Sequence, residues 1–401
     1  MSARTGWHEA RGIAGSVGIA GIAGTSETGA VHEQVALEHC VGRRVARAVL
    51  APTDIPHFSS SAMDGWVVCG EGPWALGLNQ RLRDEPTAGA LEPGQARTIL
   101  TGALVPEGAT AVLRSESGTI VGGVLHSTTA GEPRAHQHLR LAGTEATSGE
   151  TLIAAGVVLN PAHVALAASA GIDNLWVLPV PAVTLVLTGD EIVTSGIPGP
   201  GFVRDTFGIQ LPQLVGMFGA RVVGAIRVGD DLETTMRVLH ASTTPLVITT
   251  GGTGTSAADH VRSALVALGA RFLIDGIAMR PGGPTALAQL PDGRLVLALP
   301  GNPLAAMVAL ISLGEPVLAS LSGRAARPTR TIDGIDVAGT AGATRLEPYA
   351  IIDGRVTLSR WQGAGMMRGL ATASGLLVVP EQGTVQGAAA ESVVLPWLTA
   401  D

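Results

Sequence analysis

The sequence predicts a multidomain α/β plus β protein: a parallel-sheet, three-layer α/β domain, a small β domain, a helical or extended linking domain and a C-terminal β domain. Between 182 and 321 apolar runs alternate with helical stretches, the pattern of a parallel sheet covered by helices on both faces. On either side, from 51 to about 137 and from about 326 to 401, short apolar runs are punctuated by Gly and Pro, as in small β domains. A length of 401 residues accommodates two to three domains of about 150 residues each.

Residues 1–30 are expected to be a flexible or weakly helical segment. The stretch 12–30 alternates Gly, Ala and Ile, but glycines at 12, 15, 18, 21 and 24 interrupt it, and Trp7, His8 and Glu9 stand where a secretory leader would be basic. In 31–50, Val35, Leu37, Val41, Val45 and Val49 recur near helical spacing and predict an amphipathic helix ending before Pro52. Together with 138–178, where helical spacing returns around 161–171, this segment makes the linking domain. The β domain, 51–137, holds the runs 66–69, 97–100, 111–113 and 119–124. In the α/β domain, 179–325, strands are expected at 183–187, 221–226, 245–250 and 295–299, and helices near 206–219, 231–241, 259–269 and 303–321. Residues 326–401 return to short strands and glycine turns.

Composition narrows the function. Charged residues are 15% and the net charge is −7, so no basic footprint for nucleic acid or an anionic membrane exists. All 26 cationic residues are Arg; without a lysine amine, a Walker A loop, a pyridoxal phosphate Schiff base and a lysine aldolase are excluded. Cys40 and Cys69 stand alone, which supports neither a disulfide framework nor a thiolate zinc site and points to the reducing cytoplasm. No uninterrupted run of about 18 apolar residues predicts a membrane span. His136 and His138, alternate residues on an extended segment, are expected at the surface rather than on a metal.

Polar residues collect just after the predicted strands, where open α/β sheets bind ligands. Thr188, Gly189, Asp190 and Glu191 follow the first; two carboxylates there could hold a hard cation or simply close a polar loop. Gly251, Gly252, Thr253, Gly254, Thr255, Ser256 and Asp259 follow the third. Their glycines let N–H groups turn inward as an anion cradle, and their hydroxyls suit a polyoxygenated ligand, while Asp259 could be an N-cap. Pro300, Gly301, Asn302 and Pro303 follow the fourth, with Asn302 placed to cap and Pro303 to sit at N1. Asp230 and Asp231 precede a helix with Glu233 in its first turn, a capping arrangement for one of the two, and Asp205 reads as another cap.

Further motifs complete the series: Ser61-Ala62-Met63-Asp64-Gly65-Trp66, Thr101-Gly102-Ala103 with Pro106-Glu107-Gly108-Ala109, Ala278-Met279-Arg280-Pro281-Gly282, and Gly363-Ala364-Gly365-Met366. Their order, from about Val35 to Val394, resembles the molybdopterin molybdenumtransferase family, the MoeA proteins and the gephyrin E domain. Residues 61–66 are similar to that family's SAMDGY motif. Where the family commonly reads KPGKP, this chain has Arg280-Pro281-Gly282-Gly283-Pro284. It has Gly254-Thr255-Ser256 in place of a Ser-x-Gly pattern and Gly143-Thr144-Glu145 in place of Gly-Glu-Asp.

The resemblance implies a cytoplasmic enzyme that inserts molybdate into adenylylated molybdopterin and releases AMP. Asp64, Thr101, Glu191 and Asp259 would be catalytic. Ser61, Thr188, Gly189, Asp190, residues 251–256, Arg280 and residues 300–303 would bind substrate. Mg²⁺ would sit among Glu191, Asp230, Asp231 and Asp259, because carboxylates beside a polyanion call for a cation between them. It further implies a homodimer whose site is shared, Asp64 acting in trans, with other proteins of molybdenum cofactor biosynthesis as partners. The alternative is a non-catalytic molybdopterin-binding carrier or scaffold of the same fold.

Overall fold

The computed structural model describes residues 4–22, 32–77, 89–254 and 260–398. Its contacts group the chain into two units, residues 32–178 and residues 1–31 with 179–401.

In unit 32–178, six short strands form one sheet in the order Ala111–Arg114, Gly65–Val68, Gln95–Ile99, Trp74–Leu76, Val124–Ser127, Gly118–Val121. Successive residues of a strand face opposite ways: Val67 packs with Ile99 and Val112, and Val68 with Ala96 and Leu113. The expected helix over 31–50 is absent. Glu33–Ala36 pairs with Asn174–Val177, Leu37–His39 is a 3₁₀ turn, and Val49–Leu50 pairs with Thr151–Ile153. Gly42 at φ +81° interrupts any continuous helix, and the valines that mimicked helical spacing are β-branched and pack as strands and turns. Pro161–Ser169 is helical: Asn160 accepts from the His163 N–H at 2.9 Å while His163 Nδ1 accepts from the Asn160 N–H at 3.2 Å.

The other unit opens with β1 (Thr5–Gly6) and α1 (Trp7–Ile22). Of the flexible and weakly helical alternatives the segment takes the helical one, and the helix is anchored: Trp7, Ala10 and Ala14 are buried, and the Arg11 guanidinium donates to the carbonyls of Ser312 (2.9 Å) and Arg327 (3.1 Å). Burial of this face compensates the low helix propensity of Gly12 and Gly15. Residues 23–31 lie outside the described residues.

Six strands then form the central sheet: β2 (Ala182–Thr188), β3 (Arg221–Val228), β4 (Leu246–Thr250), β5 (Arg271–Asp275), β7 (Ala286–Gln289) and β8 (Leu295–Leu299), in spatial order β3-β2-β4-β8-β7-β5. The four expected strands, β2, β3, β4 and β8, are mutually parallel; β7 pairs antiparallel with β8 and β5 antiparallel with β7, so the sheet is mixed rather than purely parallel. Leu185 and Ile248 face α2 (Phe207–Met217) and α5 (303–321), whereas Val186 and Val247 face α3 (Leu232–Ala241) and α4 (His260–Ala267). That gives three layers. Helix α5, the one described helix long and apolar enough to span a membrane, is 94% buried within the protein, which makes it a core helix.

Strand β6 (Ile277–Arg280) leaves the central sheet to join a seven-stranded one. There it pairs in parallel with β1 on one side and with β9 (Thr344–Ile352) on the other, and the remaining strands come from 330–393.

Candidate active site

A cavity of about 340 Å³ opens at the carboxyl ends of β2, β4 and β8 and is lined by the loops that follow them, with Asp230 from the loop after β3 and His260 at the head of α4. A larger open groove of about 1100 Å³ runs along 331–335, 351–356 and 386–389, but it gathers none of the motif residues.

Glycines make the smaller cavity possible. Gly251 has φ +78°, and a β-carbon there would lie 2.6 Å from Thr188 Oγ1; Gly252 has φ +58°, and its β-carbon would lie 3.0 Å from Val261 Cγ2 and 3.3 Å from the His260 ring. The backbone of this loop therefore seats directly on β2 and α4. The Gly251 N–H donates to Leu299 O at 3.0 Å, and the Thr188 hydroxyl donates to Thr250 O, which ties three strand ends together.

Thr188, Gly189, Gly251, Gly252, Thr253, Gly254, Pro300, Gly301 and Asn302, expected to bind substrate, and Glu191, expected to be catalytic and a metal ligand, all line the cavity. Asn302 holds the cap position of α5 but makes no side-chain capping hydrogen bond, and its side chain is exposed. Asp190 is exposed and outside the lining: its Oδ1 would be 2.6 Å from a β-carbon on Gly229. Pro303 starts α5 and Arg280 lies exposed at the end of β6, both outside the lining. Thr255, Ser256 and Asp259 fall outside the described residues.

The aspartate pair divides as the capping pattern foretold for one member. Asp231 is the cap of α3, accepting from the Thr234 N–H at 2.7 Å, and is not among the lining residues; Asp230 lines the cavity. Asp205 accepts from the Gly208 N–H at 2.9 Å and pairs with Arg227, so it too is a cap. No cluster of three or more His, Cys, Asp or Glu suited to a metal occurs among the described residues.

Hydrogen bonds from the Thr234 hydroxyl and N–H hold the Asp231 carboxyl below its ordinary range. A folded pKa depressed in this way contributes stability fully above the unfolded value, about 3.9, and loses it as pH falls through the folded one. Between pH 6 and 2 the melting temperature of Asp231→Asn should fall less steeply than that of the wild type. Superimposable profiles would show that the cap does not titrate with folding.

Sequence reasoning missed His260, Phe207, Ile192 and Pro284 as lining residues. His260 is only 6% exposed, with Nε2 3.7 Å from Asp230 Oδ1. Its place at the start of a helix gave no hint of a partner thirty positions earlier.

In unit 32–178, Asp64 Oδ1 accepts from the Thr101 N–H at 2.6 Å and the Thr101 hydroxyl at 2.8 Å. Ser61 is fully buried, and its hydroxyl donates to Met63 O at 2.6 Å, which shapes the turn before Asp64.

Comparison with known proteins agrees with this layout. Residues 9–171 match the MoeA N-terminal region (domain I and II), and residues 184–320 a probable molybdopterin binding domain. A Mycobacterium tuberculosis protein named molybdopterin molybdenumtransferase 2 is 31% identical over 369 residues, covering 86% of this chain and 90% of the relative. A Nostoc molybdopterin molybdenumtransferase is 32% identical over 301 residues, covering 71% of this chain and 68% of the relative. A crystal structure of the molybdopterin biosynthesis MoeA protein from Pyrococcus horikoshii shares the fold, with a TM-score of 0.79 at 22% identity over 98% of this chain and 99% of that one.

Proposed function

We propose, for a chain that belongs to the molybdopterin molybdenumtransferase family, that the cavity at the strand ends binds adenylylated molybdopterin and is where molybdate enters the dithiolene as AMP leaves. The protein is a transferase of molybdenum cofactor biosynthesis. One observation carries the finer reading: the cavity is walled by glycine-turn backbone and hydroxyls, with the carboxylates of Glu191 and Asp230 but no Arg among its described lining residues. A polyanion would be repelled by that wall unless a cation stood between them.

Glu191 and Asp230 fit Mg²⁺, which takes one or two carboxylates and completes its shell with substrate phosphates. Bound there, Mg²⁺ would neutralise charge on the phosphoanhydride oxygens as AMP departs. His260 stands beside Asp230 and helps to place that carboxylate in the wall. Gly252 and Thr253 offer backbone N–H groups to the phosphates, and Thr188 fixes the loop that carries them.

A homodimer is part of this reading, with Asp64 of one subunit completing the cavity of the other. Strand β3 is an edge strand carrying exposed Val223 and Ile226, the kind of edge a second copy could cover. A cytoplasmic location is supported by Cys40 and Cys69, both buried as free thiols.

The test is AMP release from adenylylated molybdopterin, with and without molybdate, after chelation and after Mg²⁺ is returned. Release should need both ions, and Glu191→Gln should slow it about a hundredfold, the order expected when a metal carboxylate loses its charge. Tight binding without AMP release would replace this reading with the carrier; no binding would leave the scaffold.

A further inference from the structure

We propose that Arg4 is an oxyanion-binding residue of the molybdenum-insertion site, brought by β1 to the 280–285 turn, where it fills the place of the side chain that Gly283 lacks. The inference rests on the reading above that this unit handles an oxyanion substrate. It begins with strand pairing. Thr5 lies opposite Ile277 and Gly6 opposite Ala278, and the Thr5 N–H donates to Gly276 O at 3.2 Å. Arg4 is thereby laid across the turn. A β-carbon on Gly276 would lie 3.6 Å from Arg4 Cγ, and one on Gly283 would lie 2.9 Å from Arg4 Nη1.

Gly283 has no left-handed φ that would demand glycine, so an L side chain is conformationally allowed there. Its space is bounded by the Arg4 guanidinium and by the carbonyl oxygens of Met279 (3.1 Å) and Ile277 (3.4 Å). The turn beneath is fixed: the Ile277 N–H donates to Gly283 O at 2.9 Å, and the Thr285 N–H and hydroxyl donate to Gly282 O at 3.0 and 2.7 Å. The next residue, Pro284, lines the cavity. Nor is β1 a loose tail, because α1 follows it directly and is held by Trp7 and Arg11.

Charge gives the placement its chemistry. Arg4 is exposed and forms no ion pair among the described residues, and the same holds for Arg280 on the neighbouring strand. Arg345, opposite Arg280 in register, is already neutralised by Glu347. An exposed guanidinium without a carboxylate partner, held over Gly283 beside the cavity-lining Pro284, gains a counter-charge when an anion binds. Guanidinium forks suit the paired oxygens of a tetrahedral oxyanion, which both molybdate and a substrate phosphate present.

Calorimetric titration of the purified full chain with molybdate, and separately with inorganic phosphate, tests the assignment. Arg4→Ala should weaken binding of at least one anion about ten- to a hundredfold, the loss of one charge-assisted contact. Arg4→Lys should keep most of the affinity, and Arg4→Gln, which retains the stem, should lose it with an unchanged melting temperature. Combining Arg4→Ala with Gly283→Lys should restore binding, because truncating Arg4 vacates the space over Gly283. The anion that responds identifies the molybdate or the phosphate subsite. Equal affinities in wild type, Arg4→Ala and Arg4→Gln, or no affinity for either anion in the wild type, would overturn the assignment. AMP release measured alongside judges the broader reading by itself: turnover with an indifferent Arg4 removes only Arg4, and Arg4-dependent binding without turnover removes only the reaction.

Discussion

Asp64→Ala and Glu191→Ala proteins, each expected to lose turnover by a hundredfold or more, should regain about a quarter of wild-type turnover when their subunits are mixed. Random exchange between two homodimers makes half the dimers mixed, and each mixed dimer carries one site with both carboxylates intact and one with neither. The motivation is the state of Asp64. Its Oδ1 is aimed by two hydrogen bonds from Thr101 and its turn is shaped by Ser61, the preorganisation expected of a carboxylate that works on a substrate. Glu191 lines the cavity of the other unit. If differently tagged mixed dimers are isolated and remain as inactive as their parents, the shared site is wrong and Asp64 serves its own subunit.

Gly65→Ala should be the most damaging single methyl group in unit 32–178. A β-carbon there would lie 2.1 Å from Leu113 O, 2.8 Å from Ser115 N and 2.9 Å from Arg114 C, all backbone atoms of the paired strand and the turn after it. Nothing flexible can yield, so the strands Gly65–Val68 and Ala111–Arg114 must separate locally. We expect a loss of about 3 kcal/mol or more, and with it a fall on the order of 6–12 °C in the melting temperature. Gly102→Ala is the control. Its φ of +80° also lies on the side alanine disfavours, but its β-carbon would meet nothing within 4 Å, so about 1 kcal/mol is expected. Similar losses for the two variants would mean that backbone conformation, not the approach of Leu113, sets the cost at Gly65.

The sequence by itself determined the four parallel strands and their helices, because buried apolar runs separated by helical spacing have few other readings. It also determined the polar loops at the strand ends, since Gly, Thr and Asn gathered after an apolar run have no core to enter. The capping role of Asp231 and Asp205 was legible for the same local reason: a short acidic side chain before a helix meets free N–H groups within three residues. Local rules failed where tertiary burial outweighed them. Trp7, Ala10 and Ala14 give an otherwise glycine-weakened helix a buried face, and Val35, Val45 and Val49 enter strands or turns although their spacing suggested a helix. Only the tertiary structure could bring His260 to Asp230, or lay Arg4 over Gly283. Those pairs are decided by which strands lie side by side, and sheet order is a long-range outcome that no local spacing encodes.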